Sequence, residues 1–238
     1  SAGVGEHEIM GYLVGEYYRR NLSAPSYTPI VGSHQNACIL HYTENRRQMQ
    51  KGDLVLIDAG AELDHYAADI TRTFPVSGRF SGEQKAVYEI VLEAQLAAID
   101  AVHPDNHWDK PHTVAVEILT QGLLDLGLLQ GSLSENLEKE LYREFYMHRT
   151  GHWLGMDVHD SGLYLINDVP RPIEAGMCFT VEPGLYIPYN DKTAPAELRG
   201  IGVRIEDNVV VTPNGCENLT ALAPKEIDDI EKIVGTAR

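Results

Sequence analysis

The chain has 238 residues, 43% of them hydrophobic and 23% charged, which suits one large globular domain. Nineteen Lys and Arg against 35 Asp and Glu give a formal net charge of −16, so a broad basic face for nucleic acid is excluded. No apolar run approaches the roughly 18 residues that a membrane-spanning helix needs. Cys38, Cys178 and Cys216 are odd in number and far apart. They predict free thiols in a reducing, cytoplasmic setting rather than a disulfide framework. The chain opens Ser1-Ala2-Gly3 without Met and without a secretory pattern, so its start carries no targeting information.

In chain order, Ile9, Tyr12, Leu13 and Tyr17 keep a helical period and predict a helix over 6–22. Strands are expected at 27–31 and 37–40, around a loop at 32–36. Gly52 and Asp53 turn the chain into the apolar run Leu54, Val55, Leu56, Ile57, which ends on Asp58. Asp69 stands just before a second β-rich run. Ser81 followed by Gln84 reads as a capping box for a helix to about 101. Helices are expected at 110–126, ended by Gly127, and at 133–144. A second β-rich region covers 177–187 and 202–211, and a final helix 224–234. No linker interrupts the sequence, which predicts a single domain over 1–238.

One internal echo carries chemistry. "GDLVLIDAGAEL" starts at Gly52 and "GMCFTVEPGLYI" at Gly176. In both, an acid follows the first Gly by six residues: Asp58 and Glu182. Each segment is followed by a second β-rich stretch with an acid among apolar residues, Asp69 in "ADITRTF" and Glu206 in "GVRIEDNVVV". Two similar hairpins would bring these four carboxylates together. Buried carboxylates need protons, basic partners or cations. Arg72 and Arg204 are too few to neutralise four acids, whereas two divalent ions match them. Oxygen ligands with one imidazole suit Mn, Fe, Co or Zn.

The imidazole comes from "HRTGHWLGMDVHDSG", residues 148–162. His148 and His152 are four apart, but Arg149 stands where a zinc-protease helix needs its Glu, and Gly151 weakens a helix. These histidines, with His159, read instead as lining a cleft. His7, His65, His103, His107 and His112 read as surface residues, and His41 by itself as a core histidine ending a strand. Asp53 and Asp64 sit at turn positions and are expected in solvent. Glu62 and Asp207 are expected to face outward by strand alternation. There is no GxSxG, P-loop or GxGxxG, so serine-hydrolase and nucleotide readings lack a motif.

The order Asp58, Asp69, His152, Glu182, Glu206, together with "ILHYT", "ADITRTFPVSG", "GHWLGMDVHD", "TVEPGLYI" and "GVRIEDNVVVT", resembles the dinuclear site of the metallopeptidases with the pita-bread fold. The resemblance covers essentially the whole chain. That family includes methionine aminopeptidase, prolidase and aminopeptidase P, and the phrases are most similar to the aminopeptidase P branch, with prolidase close behind. The resemblance implies an α+β fold, two pseudo-twofold halves around a curved, mostly antiparallel sheet with helices outside.

It also implies a division of labour. Asp69 and Glu206 would bridge two divalent ions, manganese first among the candidates. Asp58 would complete one ion's shell, and His152 with Glu182 the other's. A hydroxide between the ions would be the nucleophile, and Glu182 would carry its proton to the leaving nitrogen. His159 would bind the substrate carbonyl. His41 and His148 would flank the scissile bond and proline ring, with Tyr186 and Arg204 close by. The implied reaction removes an N-terminal residue ahead of a penultimate proline. Prolidase action on X-Pro dipeptides is the alternative, and a non-catalytic binding module is a second, although such modules lose ligands that are all present here. Full-length members usually carry an additional N-terminal domain that helps form homo-oligomers; that domain is expected to be absent from this chain.

Overall fold

The protein is described here from a computed structural model, over residues 1–234. Helix α1 (Glu6–Arg19) is followed by strands β1 (Ala24–Pro25), β2 (Ile30–Ser33), β3 (Leu54–Asp58), β4 (Ala61–Glu62) and β5 (Thr71–Pro75). Then come α2 (Gly82–Asp100), α3 (Lys110–Asp125) and α4 (Leu133–Glu138). The second β-rich part holds the short hairpin β6 (Leu165–Ile166) and β7 (Val169–Pro170), then β8 (Cys178–Val181), β9 (Gly184–Tyr186), β10 (Gly202–Arg204), β11 (Asp207–Thr212) and β12 (Gly215–Asn218). Helix α5 (Ile227–Ile233) closes the described chain.

Every strand pairing is antiparallel. Two three-stranded sheets, β2-β3-β5 and β12-β11-β8, form the two halves, and the β9-β10 pair lies between β8 and β11 in sequence. Asp58 ends β3, opposite Thr71 of β5, and Asp69 lies two residues before Thr71. In the second half Glu182 follows β8 and Glu206 precedes β11, with Val181 opposite Asp207. The echo in sequence thus becomes an echo in geometry: each half carries its two acids at one end of a strand pair.

Helices α2 and α3 cover the sheets. Val87, Tyr88, Val91, Ala94 and Ala98 recur at helical spacing and are buried, as are Ala115, Leu119 and Leu123 of α3. They join one core with Leu56, Phe179, Val181, Leu185, Val203 and Ile205. Gly122 lets the two helices close up, because a Cβ there would stand 2.4 Å from the Ile90 side chain. Ser81 caps α2 as expected: Gln84 N–H donates to its Oγ at 3.2 Å, and Ser81 N–H donates to Gln84 Oε1 at 3.0 Å. Among the described residues no helix is long and apolar enough to cross a membrane.

Several expectations are corrected. Residues 37–40 are not a strand; His34–Cys38 form a 3-10 helix, and Gly32 sits so tightly under it that a Cβ would stand 2.8 Å from the Asn36 carbonyl oxygen. Helix α1 stops at Arg19, because Asn21 turns left-handed (φ 60°). The expected helix 133–144 breaks where Glu140 takes φ 50°, leaving α4 and a 3-10 turn, Leu141–Glu144. Region 177–187 splits at Pro183, which lacks the N–H a continuous strand would use. The C-terminal helix is shorter than expected, covering Ile227–Ile233.

Two acids expected in solvent are buried. Asp53 accepts from Arg47 Nη1 at 2.5 Å and from the Gln50 N–H at 2.6 Å. Asp207 has no exposed surface. Strand β11 is central in its sheet, and its other face is covered by α2 and the segment before α5. Asp207 therefore meets Arg72 Nη2 at 2.6 Å, Lys225 Nζ at 2.8 Å and the Gln95 amide at 2.8 Å. Burial alone would raise its carboxyl, but Arg72 and Lys225 overcome it and hold it at about 2. Because the folded value lies below the unfolded one of about 4, this contribution is complete above about pH 4 and lost as pH falls toward 2. Asp207→Ala strands Arg72 and Lys225 and is expected to cost about 3–5 kcal/mol in urea unfolding. A change under about 1 kcal/mol would show that the cluster is structurally dispensable.

Candidate metal centre

The two acid-bearing strand ends meet at a cleft of about 220 Å³. Asp58, Asp69, Glu182 and Glu206 line it, as do His41, His148, His152, His159 and Arg204. Asp69, His152 and Glu206 each offer a ligand atom within 4.8 Å of the others. His152 Nε2 lies 3.4 Å from Asp69 Oδ2 and 3.4 Å from Glu182 Oε1. Its Nδ1–H donates to the Trp153 carbonyl at 3.0 Å, which aims Nε2 into the cleft. Thr180 Oγ1 accepts from His152 N–H at 3.0 Å and donates to Glu182 Oε1 at 3.2 Å, fixing both side chains together.

Asp58 reaches the group through Tyr27, whose hydroxyl bonds both Asp58 Oδ1 and Asp69 Oδ1. A phenol has one proton to give, so one carboxyl of this pair holds a proton of its own when no cation is bound. Burial, reinforced by Asp69 and opposed by Arg204, pushes Asp58 up to about 6. Asp69 behaves oppositely: burial would raise it, but bonds from His152 and Tyr27 hold it low. Burial also pushes Glu182 up to about 7, with Asp69 and Asp58 adding to the rise against His152 and Arg204. Glu206 is raised well above the carboxylate range by burial and by Asp69, Glu182 and Asp58.

Arg204 is the fixed cation of the cleft. Its Nη2 donates to Asp58 Oδ2 at 2.6 Å, its Nε to Thr71 Oγ1 at 3.2 Å, and its Nη1 to the Tyr186 hydroxyl at 3.1 Å. Tyr186 donates on to His148 Nε2 at 2.8 Å, because His148 Nδ1–H is engaged by the Arg149 carbonyl at 2.7 Å. Burial and Arg204 push His148 down to about 3, so its ring is neutral. The His159 ring stands 4.2 Å from His152 edge-on, and 6.3 Å from His41. Arg72, the other nearby basic residue, instead pairs with Asp207. One guanidinium therefore faces four carboxylates. That donor set, all but His152 being hard oxygen, fits divalent cations and is poorly satisfied without them.

All ten residues singled out in the sequence thus converge here, Tyr186 through its bond to His148. Sequence reasoning missed Tyr27, which lies ahead of β2 and carries no motif. It also missed the amide of Asn208, which clamps the Asp69 backbone: Asp69 N–H donates to Asn208 Oδ1 at 3.0 Å, and Asn208 Nδ2 to the Asp69 carbonyl at 2.5 Å. His112 was expected at the surface but is half-buried, bonding Thr150 Oγ1 at 2.8 Å.

The sequence profile of metallopeptidase family M24 matches residues 1–213. The chain belongs to this family. It is 52% identical over 229 residues to the Xaa-Pro aminopeptidase of Haemophilus influenzae, covering 96% of this chain and 53% of the relative. Human Xaa-Pro aminopeptidase 3 is 42% identical over 214 residues, covering 89% and 41%. The structure of Pseudomonas aeruginosa aminopeptidase PepP superposes with a TM-score of 0.96 at 52% identity, over 98% of this chain and 53% of that one. An Escherichia coli aminopeptidase P variant in complex with substrate gives 0.94 at 45% identity, over 98% and 52%. The fold is therefore the pita-bread fold, and the family name implies divalent metal. The chain spans about half the length of the curated relatives it matches.

Two outcomes follow from this geometry. Asp58 and Glu182 are raised above the unfolded value of about 4, so their protonated forms favour the fold fully below about pH 4, and that contribution is lost as pH rises through 6 to 7. The melting temperature of metal-stripped protein is expected to fall between pH 5.5 and 7.5, and saturating Mn²⁺ to abolish the slope; a flat profile in stripped protein would contradict the protonation pattern. Asn208→Asp keeps the shape but removes the donor to the Asp69 carbonyl. Calorimetric Mn²⁺ affinity is expected to weaken about 10–100-fold with circular dichroism unchanged, and an unaltered affinity would show that the clamp does not position Asp69.

Proposed function

We propose that this chain carries the catalytic centre of a proline-specific aminopeptidase, which releases the N-terminal residue of peptides with proline in second position. The observation that carries the reading is the convergence of Asp58, Asp69, His152, Glu182 and Glu206 on one cleft that His41, His148 and His159 also line. Relatives named Xaa-Pro aminopeptidase, at 52% and 47% identity, support the choice of substrate.

In this reading Asp69 and Glu206 would be shared by two divalent ions, Asp58 would hold one, and His152 with Glu182 would hold the other; manganese is the first candidate. When bound, such ions would supply an acidified water and Lewis-acid polarisation of the scissile carbonyl. The chain's own groups do the rest. Glu182 would take a proton from that water and return it to the leaving nitrogen. That return is required, because an amide nitrogen cannot leave as an anion. His159 is kept neutral by burial and by its neighbour His152, and donates one N–H to the carbonyl oxygen as charge develops there. His148 and His41 border the ring of the proline. Arg204 keeps Asp58 and Tyr186 in place through its three bonds.

A paired assay with Mn²⁺ tests the reading. An X-Pro-Y tripeptide is expected to be cut and the matching X-Pro dipeptide to be left nearly intact. The reverse pattern would make the chain a prolidase. Metal-loaded protein that cuts neither would point to a non-catalytic binding role.

A further inference from the structure

A second cavity, about 450 Å³, adjoins the acid-lined cleft and is twice its size. Arg149, Gly151 and His152 line both spaces. Its volume lies in the range of about 300–1,000 Å³ typical of ligand pockets. The floor is aromatic. Trp108 lies 4.7 Å from Phe179 and 5.1 Å from Tyr164, centroid to centroid, and stacks on Trp153 at 4.5 Å. The outer wall is the β6–β7 hairpin, which lends Tyr164, Leu165 and Pro170.

That hairpin is unusual for an isolated two-stranded piece at the surface. Leu165 is 50% exposed, Ile166 44% and Val169 56%. Pro170 guards β7, yet these three apolar side chains stay exposed, and exposed apolar clusters mark binding sites. The wall is nonetheless fastened. Arg171 N–H donates to the Tyr164 carbonyl at 3.1 Å, Trp108 N–H donates to the Arg171 carbonyl at 2.9 Å, and the Arg171 guanidinium lies 5.3 Å over the Trp153 ring. The apolar space is thus held open by backbone bonds and ring packing.

Charge sets the direction of a ligand that occupies both spaces. Asp58, Asp69, Glu182 and Glu206 line the cleft and not the cavity, whose lining carries one acid, Asp109. Arg149 lines both, its side chain is exposed, and it has no hydrogen-bond acceptor or ion-pair partner among the described residues. A peptide carries an ammonium at one end and a carboxylate at the other. Its amine belongs with the acids, and its carboxyl-terminal part belongs toward Arg149.

We infer that this cavity is an extended subsite for the leaving part of the peptide, taking an aromatic or large aliphatic side chain beyond the proline. The inference rests on the aminopeptidase reading above. It makes the chain selective for peptides longer than a tripeptide or with a bulky residue after the proline. Arg149 steers the carboxylate, and Trp108, Phe179 and Leu165 enclose the side chain.

The test uses the fact that the chain has two tryptophans, Trp108 on the cavity lining and Trp153 stacked against it. Their emission reports occupancy without turnover. Titration of Mn²⁺-loaded protein with the leaving peptide Pro-Ala-Phe is expected to change emission saturably, with a Kd at least about tenfold below that of Pro-Ala-Ala. Leu165→Glu, on the exposed wall, is expected to erase the difference with circular dichroism unchanged. In turnover, Ala-Pro-Ala-Phe is expected to exceed Ala-Pro-Ala-Ala through KM. Equal affinities of the two leaving peptides, or a preference that survives both Leu165→Glu and Trp108→Ala, would overturn the subsite. Failure to cut Ala-Pro-Ala, with the emission difference intact, would overturn the aminopeptidase reading while the cavity's ligand class stands.

Discussion

Mutual repulsion among four buried carboxylates is the constraint around which this chain is organised. Each alone costs several kcal/mol to take out of water, and neighbours of like charge add to that cost. The fold answers in three ways at once. It raises Asp58, Glu182 and Glu206 so that they hold protons to higher pH than free carboxyls, it commits Arg204 to Asp58, and it holds Asp69 low against His152. None of these gives the acids a full set of partners. A divalent ion does, by replacing protons, so cation binding and proton release are one equilibrium in this cleft.

Holding such a group together requires that the two halves be fastened beside it, and the fastening is local. The Glu206 N–H donates to the Thr71 carbonyl at 3.0 Å, and Thr71 Oγ1 donates to Glu206 Oε2 at 2.6 Å. One residue pair along, the Thr73 hydroxyl accepts from Arg204 N–H at 3.3 Å and donates to the Arg204 carbonyl at 3.1 Å. On the other side the Asn208 amide grips the Asp69 backbone. Alternate residues 69, 71 and 73 thus meet 208, 206 and 204 in antiparallel order. Side chains do here what backbone ladders do inside each sheet, and the acids cannot drift apart without breaking that seam. Arg72 ties it to the C-terminal segment through the carbonyls of Glu206 and Ala223.

The sequence made the centre legible because its chemistry contradicts its pattern. An acid six residues after Gly, at the end of an apolar run, stands out twice, at Asp58 and at Glu182. Helix α2 was legible for the ordinary reason that Ser81 and Gln84 form a capping box ahead of a periodic apolar face. What stayed hidden depends on contacts between distant segments. Alternation placed Asp207 outward because it assumes one solvated face, and β11 has none. Tyr27 looks like any aromatic residue near a strand until the fold brings Asp58 and Asp69 around its hydroxyl. Residues 37–40 looked like strand because Ala37, Cys38, Ile39 and Leu40 are apolar enough for one, while the close approach at Gly32 that seats the 3-10 turn belongs to the fold alone.

The imidazoles complete the argument from charge. A protonated His148 would sit beside Arg204, and burial already disfavours it, so the ring stays neutral with Nε2 accepting from Tyr186. His159 is likewise lowered by burial and by His152, and His112, behind Thr150, falls to about 4 through burial and Arg149. The acid-rich centre is therefore bordered by rings that carry no charge at neutral pH. Such a border suits a pyrrolidine ring, which brings apolar surface and no N–H to satisfy. An ordinary peptide bond would bring a donor to a rim where His148 Nε2 is already engaged by Tyr186. In the proposed reading, selection for proline would follow from keeping these histidines neutral beside a cluster of acids that only cations can satisfy.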